Sequence, residues 1–264
     1  MDLAQFITSL NPLILFILIV AFCVIFSEAG SLLAHKRTKK GIKEPEAPVG
    51  TAVGAMLGLL AFMLGFTFSI TASRFADRKD LIIRQANAIG TLYVRASMIP
   101  EKQKLEIRKL LHEYIDLLLN INYASPEQIS KVNARTSKIH VGIWKQTATL
   151  VQEDMDSELR TFFSGAVNEL MNIGRERKTV SFVFRVAGML WTSLFVLTAV
   201  CMFAIGFQVG SYGTRRIFDM PLLAAAFALV IVLIADMDST GVHHLKASLQ
   251  PLKDVQELMQ EELP

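Results

Sequence analysis

Few residues of this 264-residue chain stand at spacings that could do chemistry. His112-Glu113 has no second histidine four positions after His112, so it lacks the zinc-protease pattern of two imidazoles one helical turn apart. His243-His244 offers two imidazoles, but neighbouring helical residues point in different directions. No cysteine or third histidine stands near enough to complete a metal shell. Asp236 and Asp238 flank the end of an apolar run and read first as interfacial boundary markers, with an ion-binding ring as the alternative. Glu28 sits one helical turn inside the end of the first expected span, where it could pair with a basic residue or reach the interface. A proton relay would call for more than one such group at depth. Cys23 and Cys201 are each embedded in apolar sequence and read as small buried hydrophobes, which excludes a disulfide framework or a cysteine-ligated zinc. Phosphate-loop, dinucleotide-fingerprint and nucleophile-elbow patterns are missing. The sequence points away from an enzyme, a metal site or a cofactor.

The informative spacing is in Ala61-Phe62-Met63-Leu64-Gly65-Phe66. Phe62 and Phe66 are four apart, so their rings share one helix face, and that face runs back through Gly58 and Gly54. Repeated around an axis, such a helix would form two successive apolar collars below a wider glycine-lined stretch, and apolar collars stop ions by dewetting. On spacing alone the commoner meaning is packing or lipid contact. Gly50, Gly54 and Gly58 at four-residue intervals also let a second helix approach closely.

The elements that must hold this stripe are membrane helices. The chain is 52% hydrophobic and 19% charged with a mean hydropathy of +0.40, below the roughly one-quarter charged residues of a soluble domain. Its formal charge of +3 is too small an excess to argue for nucleic acid. Uncharged runs cover 3–27, 47–73, 186–214 and 220–235. The first three exceed the roughly 20 residues a helix needs to cross the hydrocarbon core. The fourth, at 16 residues, spans about 24 Å and crosses if Arg216 snorkels. Asn11-Pro12 predicts the start of the first membrane helix, a capping residue followed by a proline suited to the first turn.

Between spans two and three the sequence is polar and helical in period. Ile107, Leu110, Leu111, Tyr114 and Leu118 form one stripe; Leu159, Phe162, Phe163, Ala166, Leu170 and Ile173 form another. Ser125-Pro126-Glu127-Gln128 predicts a helix start, and Pro100 the boundary between two helices. The expected fold is all-α: an integral membrane protein with four transmembrane helices and an antiparallel helical extension continuous with spans two and three. Its expected divisions are membrane helix 1 (11–34), a basic loop (35–48), membrane helix 2 (49–73), the extramembrane block (74–181), membrane helices 3 (182–209) and 4 (217–236), and a polar tail (237–264) that is helical near 249–259. Loop charges do not orient it: Lys36, Arg37, Lys39, Lys40, Lys43, Arg215 and Arg216 balance the basic residues at both ends of the block, from Arg74 and Arg84 to Arg175 and Arg185.

The stretch from Ala61 to Phe75 resembles the second transmembrane helix of the bestrophin channels, whose pattern is Ser-Phe-Val-Leu-Gly-Phe followed by Arg-Trp. The resemblance implies that Phe62 and Phe66 line the neck that controls conduction. It places the family's arginine on Arg74, with Phe75 in place of tryptophan. Arg84-Gln85-Ala86-Asn87 and Leu92-Tyr93-Val94-Arg95-Ala96-Ser97 are similar to the segment that follows, and the layout through Ile234-Ala235-Asp236-Met237-Asp238 resembles a bacterial bestrophin-like branch. Gly58 replaces a third apolar neck residue, so the neck is one collar shorter. No acidic cluster after Asp238 matches the family's calcium clasp, and calcium gating is not implied.

By resemblance the chain is a homo-pentameric channel of the cell membrane, conducting chloride or other small anions, with the helical block cytoplasmic. Gly54 and Gly58 would line or pack the wider stretch and Arg74 would lie at its mouth. The alternative is a non-conducting membrane scaffold whose block binds a partner protein.

Overall fold

The computed structural model describes residues 3–40, 46–121, 126–153, 155–182, 186–211, 219–239 and 247–261. Ser125, Lys43, Arg185, Arg215-Arg216 and the His243-His244 pair lie outside them. The described residues are all-α: α1 (Leu3–Ser9), α2 (Pro12–Lys39), α3 (Glu46–Arg95), α4 (Glu101–Leu119), α5 (Pro126–Thr149), α6 (Ser157–Phe182), α7 (Gly188–Ser211), α8 (Asp219–Asp238) and α9 (Gln250–Gln260). Among them, α2, α3, α7 and α8 are long and apolar enough to cross a membrane. The chain divides into two compact units, one mainly Met1–Ser73 with Arg185–Ser239, the other mainly Arg74–Phe184 with Lys246–Pro264.

In the first unit α2 starts where its sequence signals: the Asn11 side chain accepts a hydrogen bond from Leu13 N at 2.9 Å, with proline in the first turn. The uncharged run before it is broken, since α1 ends at Ser9. Helices α2 and α7 meet through glycine. A Cβ on Gly206 would stand 1.9 Å from Ser27 O, and one on Gly30 2.0 Å from Phe203 O, so only hydrogen fits at either place. In lipid, where apolar burial offers no drive between helices, this backbone-to-backbone approach supplies the dispersion contact. Cys23, Leu60, Trp191, Cys201 and Ile231 fill the rest of the buried centre.

The expectation that the block continues unbroken into span three is corrected here. Val186 and Ala187 are not helical, and Val186 N donates to Asp238 Oδ1 at 3.2 Å. A carboxylate takes the N–H that helix continuation would have used. Asp236 and Asp238, at the end of α8, are themselves buried.

The second unit is built as in water, with an apolar centre and a charged outside. Ile89 and Leu92 of α3, Ile107 and Leu111 of α4, Ile143 of α5, Val167 and Leu170 of α6 and Leu252 of α9 are buried together. The α4 stripe is buried as its spacing predicts, apart from half-buried Leu110. On α6, Phe163, Ala166, Leu170 and Ile173 are buried but Leu159 and Phe162 face out. Phe162 is turned about 100° around the helix from buried Phe163 and lies beneath the Arg95 guanidinium, 3.6 Å from its ring centre. The boundary at Pro100 forms as a short 3₁₀ turn, Ala96–Met98, and an extended Ile99. The tail helix α9 is fixed to the core by Tyr93 Oη donating to Met259 O (2.9 Å) and Gln256 Nε2 donating to Asp116 Oδ1 (2.7 Å).

Candidate functional site

The membrane half of α3 has two unlike faces. Val53, Leu60, Leu64, Thr67 and Thr71 form a buried stripe. The two threonine hydroxyls donate to carbonyls of their own helix, Thr67 to Met63 O (2.7 Å) and Thr71 to Phe68 O (2.9 Å), so this face demands no outside partner. The opposite face centres on Phe62. At 100° per residue, Thr51, Ala55, Gly58, Phe66, Ser69 and Ser73 all fall within about 40° of it, and all are exposed.

Phe62 is 66% exposed and Phe66 49%, and their rings stack with centroids 6.3 Å apart and planes at 12°. The pair thus stands outside its own chain's core. Gly54 and Gly58 also face open space: a Cβ on either would meet nothing within 4 Å. Within one chain the four-residue glycine spacing brings a close neighbour only to Gly50, where a Cβ would stand 3.3 Å from Gln208 Nε2. Arg74 opens the second unit, half-buried, and its Nη1 has no hydrogen-bond partner among the described residues.

The composition of the exposed face sets α3 apart. The other three membrane-length helices expose large aliphatic residues: Leu13, Ile17 and Ile25 on α2, Val196 and Val200 on α7, Leu222 and Leu229 on α8. Hydrocarbon accepts such surfaces readily. The α3 face within about 40° of Phe62 is small or hydroxylated apart from its two rings, with Leu59 at its border and exposed Phe68 further round the helix. Ser69 and Ser73, seven and eleven residues beyond Phe62, extend the stripe and were not singled out from sequence. The helical period running forward from Phe62 was the signal that could have found them.

Comparison with known proteins fixes the lineage. Residues 16–240 match the bestrophin-like domain. The chain belongs to the bestrophin-like family. This bestrophin-like chain is similar to the crystal structure of a bacterial bestrophin homolog from Klebsiella pneumoniae, with a TM-score of 0.66 and 15% identity over 96% of this chain and 99% of the other. A point variant of that homolog gives a TM-score of 0.67 at 15% identity, over 95% and 97% of the two chains. At such identity the likeness is one of fold. No curated protein matches the bestrophin-like chain.

Proposed function

We propose that this protein is an oligomeric ion channel in which α3 lines the pore and Phe62 and Phe66 form its neck. The observation that carries the reading is the contrast just described: α3 turns small, hydroxylated and paired aromatic residues outward where its neighbours turn aliphatic ones. A surface left open in one chain, small and hydroxylated around a stacked pair of rings, is accounted for if copies of the chain gather around it. Five copies, the number implied by the bestrophin resemblance, place two rings of phenylalanine in series, and a neck of that kind passes ions only when it is wetted. Gly54 and Gly58, lacking side chains, leave the stretch above the neck wide. Arg74 lies at its mouth.

Small anions, chloride among them, are the cargo. Arg74, Arg78 and Lys79 raise their local concentration, within a screening distance of about 8 Å at physiological salt. The channel sits in the cell membrane with the helical block on the cytoplasmic side.

Purified protein in planar bilayers tests this. Phe62→Ala combined with Phe66→Ala removes both collars and is expected to raise the current several-fold at fixed voltage. Reversal potentials under asymmetric chloride should track chloride. An unchanged current in the double variant contradicts the neck assignment, and a chloride-independent reversal potential contradicts the anion assignment.

A further inference from the structure

A recess of about 570 Å³ opens beside the C-terminal half of α2, walled by α7 and the start of α8. Its volume is that of a small-molecule site. The α2 wall is a single stripe at three- and four-residue spacing, and its chemistry changes along the axis. Lys39, Lys36 and His35 line the outer end, with Ser31 and Leu32 one turn further in and Glu28 two turns in. The facing wall is apolar, with Val209 of α7 and Met220 and Pro221 of α8. Gly206 and Gly210 bring the α7 backbone onto α2 at its floor, a Cβ on Gly210 standing 2.7 Å from Ser31 O.

Basic residues in a last helical turn complement the helix dipole and need no ligand for that. Two further observations distinguish these. Lys36 and Lys39 make no ion pair among the described residues. They also line a cavity, whereas Arg37 of the same turn does not. The gradient from two ammonium groups to an aliphatic wall, at the end of a membrane-length helix, matches the gradient along an anionic amphiphile.

We infer that this recess binds the headgroup of an anionic phospholipid, its phosphate held by Lys36 and Lys39 and its first acyl carbons by Leu32, Val209 and Met220. Glu28 lies about 12 Å along the helix from Lys36. That places its carboxylate away from the phosphate, so it does not oppose binding. The same phosphate chemistry could come from free inorganic phosphate; the apolar wall assigns the site to lipid.

The test uses full-length protein in detergent, titrated with dioleoyl phosphatidylglycerol and followed by native mass spectrometry, with no current recorded. Loss of both charge-assisted hydrogen bonds to the phosphate should weaken binding at least tenfold in Lys36→Ala with Lys39→Ala. Leu32→Trp, which fills the recess and leaves both charges, should block it, while Glu28→Gln should preserve or strengthen it. The proposal is overturned if phosphatidylglycerol binds the double lysine variant or Leu32→Trp as it binds the parent, or if phosphatidylcholine binds equally well. Inorganic phosphate alone protecting the protein from heat as strongly as the lipid would reassign the recess to a soluble anion.

Discussion

In the second unit one group of side chains is both buried and polar. Gln85 Nε2 donates to Tyr114 Oη at 2.5 Å, and Arg177 donates in turn to Gln85 Oε1. His140 packs edge-on to Tyr114, ring centres 5.1 Å apart, and Gly174 leaves the space they need: a Cβ there would stand 2.7 Å from His140 Cε1. Burial, aided by the Arg175 charge, lowers the His140 pKa to about 4, and burial raises that of Tyr114 to about 12. The unfolded chain, with an ordinary histidine near 6.5, therefore binds the proton first as pH falls. Stability from this site is complete above pH 6.5 and is lost between 6.5 and 4, amounting to about 2 kcal/mol by pH 5. Unfolding of the parent and of His140→Gln at pH 7 and pH 5 should show a pH-dependent loss in the parent that the variant lacks. The exposed Arg84–Glu176 pair, at 2.9 Å, is the contrary case. Glu176→Ala should cost no more than about 1 kcal/mol in the same assay, because solvent screens it. None of this was legible in the linear order. Gln85, Tyr114, His140 and Arg177 lie on four different helices, α3 to α6, and polar residues in a helical stripe look the same whether they meet inside or face water.

At the scale of elements the sequence was more readable, and the failures have identifiable causes. Asn11-Pro12 marks the start of α2, Pro100 the break before α4, and the apolar period of the tail gives α9. Period and punctuation are local, so they survive without knowledge of neighbours. Glycine spacing is not local in this sense. The stripe Gly50, Gly54 and Gly58 was the visible one, yet the tight crossing within the chain uses Gly30, Gly206 and Gly210, two of them far away in sequence. Which glycine meets which backbone depends on the partner helix. Gly206→Val should therefore abolish most folded protein, seen as loss of the main peak in fluorescence-detected size exclusion, since its Cβ has nowhere to go. Gly54→Ala should leave that peak intact, because its Cβ meets open space and alanine favours helix by up to about 1 kcal/mol. The non-helical Val186-Ala187 was equally hidden, since the carboxylate that accepts from Val186 N lies fifty-two residues later.

For the whole molecule, family and membrane class follow from long uncharged runs and from one motif of about forty residues. The pore follows from neither. It rests on a face that a single chain leaves open. Thiol accessibility gives the most direct reading of that face, because both native cysteines, Cys23 and Cys201, are fully buried and contribute little background. The protein in liposomes is treated with a charged, membrane-impermeant thiol reagent after introducing Ala55→Cys, Ser69→Cys or Ser73→Cys on the α3 face, and Leu18→Cys or Leu229→Cys on aliphatic faces. With the reagent present on both sides of the membrane, the account predicts labelling at the three α3 positions, which lie on either side of the neck, and none at the two aliphatic ones. Protection of all three α3 positions, with labelling no greater than at Leu18→Cys, would contradict it.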